Sequence, residues 1–497
     1  MKCVKECKVY YSYKWLFYMW ILHIDRMVSE IMKKFNKDKY LKQLEFKRFY
    51  RKYERYLYIG IPCLLVSILG IYFAYSKFFV ASEEEVVRTT VGEFIYGDII
   101  MTPYVDGQYS NTFPEKKTGI NVEKVICDGD VSALWDEDKW GLYVTNLNKR
   151  TKCSIYFVTP NSCGINDNVS CINSREGLAT LANEVNNGDN KSGKIIYLTS
   201  DLDLGGKFDS DGNTLDGNIS WTPIGTESNP FSGTFDGNGH IISNMYVNDN
   251  EKSGLFNYLY NGKMLNLGIE NSYVKSLSGD ASGIVSQLWY SKIINCYNAA
   301  TINGKKSSAG ISSGIKESSI KNCYNKGNIN SNGEQFAAGI VGYHMGNALI
   351  NCYNIGSIIG GSEAGGIVGG SQDVVRNTYN LGNISGSATG GIIGQLYDPS
   401  GAAVYNSYNI SKASGGIVGD VYQNQNRFKL SENYYLKGTA DYGLYLLKSN
   451  QGAEPLSQQE MPSVISVING DNAFVEDTNN INNGYPILKW QAERENN

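Results

Sequence analysis

The residues with the widest chemical range in this 497-residue chain are ten cysteines, three histidines and a scattering of acids. Cys127, Cys153, Cys163 and Cys171 lie close together among short alternating runs and turn formers. Four cysteines outside a reducing compartment allow three pairings, and proximity alone favours 127–153 with 163–171. Zinc is the sharper alternative, but two ligands eight residues apart with no His nearby are poorly spaced for it. Cys296, Cys323 and Cys352 recur at equivalent places, where later copies carry Thr378 and Ser407. That exchange for other small residues reads as a ladder ahead of a disulfide or metal site. Asp209-Ser-Asp211-Gly212-Asn213-Thr-Leu-Asp216 offers oxygen ligands for calcium. Its glycine is at position 4 instead of 6, and Ser220 stands where a bidentate Glu is needed, so a polar loop is the better reading. Glycoside chemistry needs two acids across a cleft. Asp373, Asp398 and Asp420 follow motif glycines by 7, 7 and 4 residues, so only Asp373 and Asp398 share a register as an acidic edge. Solvated loop acids are the plainer account. The sequence names no catalytic residue, metal site or cofactor.

These residues sit on a repeat. Asn295-Cys-Tyr-Asn298, Asn322-Cys-Tyr-Asn325, Asn351-Cys-Tyr-Asn354, Asn377-Thr-Tyr-Asn380 and Asn406-Ser-Tyr-Asn409 are separated by 27, 29, 26 and 29 residues. A second phrase interleaves with them, as in Gly339-Ile-Val-Gly342 and Gly366-Ile-Val-Gly369. Two phrases locked at one period predict stacked coils, since one such unit cannot bury its apolar residues alone. Seven or eight coils at about 4.8 Å would make a rod of roughly 35–40 Å. Four residues before each Tyr stands an aliphatic residue (Ile293, Ile320, Leu349, Val375, Val404), which alternation turns inward. Continued alternation would also turn Tyr inward and Cys outward, whereas a bend at the intervening Asn would reverse them. Both arrangements are open. The repeated Asn are expected to form amide ladders that also satisfy turn backbone.

Around the repeat, residues 1–56 hold 15 Lys/Arg against 6 Asp/Glu, and the remainder 30 against 43. An acidic bulk excludes nucleic acid as its partner. Leu57–Tyr75 is uncharged, long enough to cross a bilayer and flanked by aromatic residues. The expected order is a basic cytoplasmic segment 1–55, a transmembrane helix 56–80 and a stalk 81–92. A small antiparallel β-domain 93–160, a linker and capping helix 161–190, a solenoid 191–440 and a C-terminal cap 441–497 come after it. Tyr485, Ile487, Leu488 and Trp490 are the expected plug of that cap. The positive-inside rule puts the N-terminus in the cytoplasm and the bulk outside. A cleaved signal ending near Val80-Ala81-Ser82 competes with the anchor.

Trp221-Thr-Pro-Ile-Gly225, Phe231-Ser-Gly-Thr-Phe-Asp-Gly-Asn-Gly-His-Ile-Ile-Ser-Asn244 and the Gly-Ile-Val-Gly copies resemble bacterial cell-surface proteins with the GLUG motif. That motif also occurs in adhesins and in the non-catalytic N-terminal part of IgA-protease-type metallopeptidases. The resemblance covers about residues 194–440 and implies a right-handed parallel β-helix at the cell envelope. It implies no activity, and the His-Glu-x-x-His of such metallopeptidases is absent. The copies at Gly254, Gly283 and Gly310 lack the second glycine, so their turns are expected to be built differently.

The fold expected is therefore mainly β, a right-handed parallel β-helix behind a small β-domain and one membrane helix. Its expected role is to present a binding surface for glycans or host proteins at the membrane, without catalysis. A polysaccharide lyase or glycosidase and a ligand-free spacer are the alternatives. Protease shaving of intact cells should remove everything past Ser82; protection of that part would refute the topology.

Overall fold

The computed structural model describes residues 99–497, apart from 130, 146–149, 334, 398–401, 423–427, 470–471 and 496–497. The expected membrane helix, basic segment and stalk lie outside the described residues. Among the described residues no helix is long and apolar enough to cross a membrane.

Three parallel sheets run along a solenoid of about ten coils, more than the seven or eight that the repeated phrases mark. The terminal coils have lost the phrases and kept the pairing. One sheet, of 18 strands, carries the tyrosines; a second, of 14, carries the Gly-Ile-Val-Gly copies; the third, of 6, is narrow. Registers are in step, with Tyr297, Tyr324, Tyr353, Tyr379 and Tyr408 paired in succession.

The open question of the Asn bend has a definite outcome. Asn295, Asn322, Asn351, Asn377 and Asn406 all have φ between 49° and 57°. Asn tolerates this left-handed corner better than other residues with a Cβ. The corner resets the alternation, so Cys296, Cys323 and Cys352 join the buried core while the tyrosines face outward. Each corner Asn donates its Nδ2 to the previous coil, as Asn322 to Asn295 at 3.1 Å. The second Asn of each phrase faces inward and donates the other way: Asn325 to Asn354 and Asn354 to Asn380, both at 2.8 Å. Its amide also bonds the backbone two residues on, for instance Gly356 N–H at 3.2 Å and Gly356 O at 2.9 Å. Gly339, Gly366 and Gly391 lie against this inner ladder, and in the last copy Gly416 lies against the Tyr435 ring instead. A Cβ on Gly366 would stand 2.5 Å from Asn380 Cγ and 2.1 Å from Gly391 O. This contact is why the two phrases share one period. In the copies at Gly283 and Gly310, Ser286 and Ser313 take the place of the second glycine and bond each other at 3.0 Å, and in the copy at Gly254 that place holds Asn257.

The outer amide ladder ends on an acid. Asn266 Nδ2 donates to Asp236 Oδ1 at 2.9 Å, and Asn121 Nδ2 donates to Asp236 Oδ2 at 2.7 Å. Asn121 belongs to the small β-domain, so this buried carboxylate ties that domain to the first coils. Burial pushes the Asp236 carboxyl up, against the pull of its amide donors. Glu137 with Lys263, and Asp138 with Lys321 at 2.6 Å, extend the contact along the tyrosine sheet.

The small domain is not purely antiparallel as its short runs suggest. Ile99–Val105 pairs parallel with Thr151–Val158, which pairs antiparallel with Asn121–Cys127. Alternating patterns define a buried face without fixing strand direction. Cys127 and Cys153 are bonded across that antiparallel pair, and Cys163 is bonded to Cys171. The helix Arg175–Asn186, capped by the Ser174 hydroxyl, buries Leu178, Leu181, Ala182 and Val185 on the first coils.

The C-terminal segment departs from its expected place. Residues 429–456 close the stack, with Tyr435, Leu444 and Ala453 in the core. Beyond them, Met461, Val464, Ile468, Phe474, Tyr485 and Leu488 pack along the flank, on the outward tyrosines. Trp490 therefore sits beside the rings of Tyr324 and Tyr353 and donates to Asn351 O at 3.0 Å, instead of plugging the end. Outward tyrosines are a large apolar surface, and covering them removes more of it from water than covering one coil end.

Two substitutions test the ladder. Asn354→Ala removes four buried hydrogen bonds, with Asn325 Nδ2, Gly356 N–H, Gly356 O and Asn380 Oδ1, and should destabilise the solenoid by roughly 2–4 kcal/mol. Gly366→Ala should cost about 1–3 kcal/mol or more through overpacking. Denaturant midpoints at constant slope measure both.

Candidate functional site

The residues singled out for chemistry are, for the most part, held in structural work. Asp209 accepts hydrogen bonds from the N–H of Asp211 (3.0 Å) and of Asn213 (2.8 Å) and from Asn213 Nδ2 (2.9 Å). Its loop closes on itself. Asp373 Oδ2 accepts the Gly346 N–H at 2.6 Å, and Asp398 lies outside the described residues. Asp420 stands in another column, in register with Gln395 and Gly370, and accepts from Gln395 Nε2 at 2.6 Å. Among the described residues no group of three or more His, Cys, Asp or Glu is placed to hold a metal. Burial pushes the thiols of Cys296 and Cys352 up, which keeps them protonated.

His23 lies outside the described residues, and His240 pairs with Asp201 at 3.1 Å near the surface. His344 is fully buried, in register with Ile315 and Ser371 on an inward column. One ring nitrogen, Nε2, lies 2.8 Å from Asn347 O, so it carries the proton and donates. Nδ1 is then the acceptor for the Ser371 hydroxyl at 3.0 Å. A Ser–His contact sealed inside the rod has no access to substrate. It satisfies two polar groups in the core.

What the structure does present lies on the outer face of the glycine sheet. There two neighbouring columns point outward, at offsets of 4 and 6 residues from each motif glycine. The first column runs Tyr258, Gln287, Gly314, Tyr343, Gly370, Gln395, Asp420. The second begins Tyr260, Trp289, Lys316, Met345 and continues, two residues beyond Gly370, Gln395 and Asp420, as Gln372, Tyr397, Tyr422. Tyr343, Tyr397 and Phe336 meet with ring centroids 5.4–5.9 Å apart, and Tyr422 extends the group 5.3 Å from Tyr397. Gly370 makes this cluster feasible: a Cβ there would lie 2.6 Å from the Phe336 ring and 3.0 Å from that of Tyr397. Gln372 donates its amide to the Tyr343 hydroxyl. At the other end of the face, Tyr258 and Trp289 meet edge to face at 6.1 Å, and Tyr260 meets Tyr290 at 5.6 Å.

Burial, and then Glu363, Tyr343, Tyr422 and Asp420, push the Tyr397 phenol up to about 12. Burial, with Glu227, Asp280 and Glu251, does the same for Tyr258, also to about 12. Both hydroxyls stay protonated and can donate across the physiological range. Rings with amides and phenolic donors beside them can stack on one part of a ligand and hydrogen-bond another. The sequence signal was the offset of 4 or 6 from each motif glycine, which the acids obscured.

The tyrosine ladder is the other aromatic array. Its rings stack at 4.8–5.1 Å and within 10° of parallel. The C-terminal segment covers most of it: Tyr379 Oη donates to Gln491 Oε1 at 2.6 Å and Tyr408 Oη to Pro486 O at 2.5 Å. Arg494 lies 4.4 Å over the Tyr324 ring. That ladder is internal structure, and the glycine-sheet face is the exposed one.

No protein-family model matches this chain, and no curated protein matches it. A solved structure from Bacteroides ovatus, described as a "putative immunoglobulin A1 protease", is similar at 21% identity with a TM-score of 0.39. The match covers 65% of this chain and 92% of that one. A functional reading of this chain rests on its own solenoid surface and not on that likeness.

His344 yields a pH dependence. Burial lowers its pKa, so the folded state keeps it neutral while the unfolded chain takes up a proton near pH 6.5. Stability should thus be full above about pH 6.5 and fall below it, by at most about 1.4 kcal/mol per pH unit from this group. Urea midpoints between pH 7.5 and 5.0 should show a flatter profile for His344→Gln than for the native chain.

Proposed function

We propose that this chain is a non-catalytic binding module displayed at a bacterial cell surface, with the outer face of the glycine sheet as its contact surface. The observation that supports this is the ring-and-amide surface around Tyr343, Tyr397 and Tyr422, left open while the tyrosine ladder is covered. Such a surface suits glycans or proteins, which offer flat apolar patches beside hydrogen-bonding groups. The uncharged stretch 57–75 would tether the module, with the basic segment before it in the cytoplasm. The GLUG-like phrases support the envelope setting. The disulfides Cys127–Cys153 and Cys163–Cys171 suit an oxidising exterior.

An array of glycans and host surface proteins tests the reading. The soluble chain 83–497 should be retained by a subset of spots. Tyr397→Ala should weaken retention about tenfold or more, as loss of a central aromatic contact worth over 1.4 kcal/mol does. A blank array would leave the ligand-free spacer. Cleavage of a spotted polysaccharide, lost in Asp373→Asn, would support the lyase or glycosidase instead.

A further inference from the structure

We propose that the outer face of the glycine sheet takes a linear, uncharged glycan laid along the solenoid axis. This deepens the binding-module reading and rests on it.

The length of the face carries the first part. Tyr258 and Asp420 stand in one column seven coils long, which at about 4.8 Å per coil spans roughly 29 Å. Rings gather in its first two coils, at Tyr258, Tyr260 and Trp289, and again from Tyr343 in the fourth coil to Tyr422 in the seventh, with Gly314 and Lys316 in the coil between. Tyr258 and Tyr343 are three coils apart in that register, about 14 Å. Between them Gln287 lies over Gly314, whose absent Cβ would stand 3.0 Å from the amide oxygen. The third coil is thus low and polar, and an aromatic platform lies on either side of it. A ligand that touches both platforms must be extended and must run along the axis, because the columns do.

Charge carries the second part. Glu363 and Asp420 act on Tyr397, and Glu227, Asp280 and Glu251 act on Tyr258. Lys316 is the one cation in the two columns, and nearby Lys252 is paired with Asp280 at 2.5 Å. Acids at both platforms repel a uronate or sulfated chain. Neutral sugars bring no such repulsion, and their flat apolar faces stack on rings while hydroxyls meet Gln372 and the phenols.

The test is a titration of the full chain with N-acetylglucosamine and glucose β-1,4 oligomers of two to eight units, and with polygalacturonate. Affinity for at least one neutral series should rise tenfold or more between two and six units, as the second platform is reached. Trp289→Ala should abolish that rise at an unchanged melting temperature. Tyr397→Ala should weaken every length. Length-independent binding, tighter binding of polygalacturonate, or retention of polypeptides alone on the array would overturn the proposal while the module reading stands. No binding to any glycan or protein would overturn both.

Discussion

The structure depends on a buried row of side-chain amides pressed against a column of glycines. Asn298, Asn325, Asn354, Asn380 and Asn409 are wholly buried; the first four serve their own turn and the next coil at once, and Asn409 ends the row. An unpaired amide in such a core would cost several kcal/mol, so the row tolerates no gap and fixes the register of every coil. The facing glycines admit the amides only because they carry no Cβ. Coil length can vary between 26 and 29 residues because the slack is taken up in turns away from this contact.

Around that spine the surface is divided by what covers it. The corner asparagines turn the tyrosines out, and stacked rings at the coil spacing form an apolar strip that water would solvate poorly. The chain's own C-terminal segment buries that strip, and the small β-domain lies against the same sheet through charged and amide contacts. Among the described residues no such cover lies over the two outward columns of the glycine sheet. Some groups with catalytic potential, by contrast, are inside: His344 with Ser371, and the thiols of Cys296, Cys323 and Cys352. Burial there serves packing and hydrogen bonding.

Much of this was legible in the sequence. The period of the two phrases implies a solenoid, because only stacking buries their aliphatic positions. Ser174 and the 3.6-residue spacing behind it imply the helix over the first coils. The coil count was underestimated, since pairing persists where the phrases fade. Strand direction in the small domain was not legible, because alternation describes a face and is blind to polarity. The aromatic face went unread for a different reason. Its members are spread over seven coils and meet only when an offset is converted into a column.

By itself the sequence determined the repeat, and with it the amide ladder and the aliphatic core, since these come from period and residue type. Only the tertiary structure decided which way Tyr and Cys point, because one left-handed Asn corner inverts the alternation and no local pattern sets its φ. It also decided that the C-terminal segment lies along the tyrosines instead of across the coil end. That choice is made by the area each placement removes from water, a property of the assembled surface that no single segment carries.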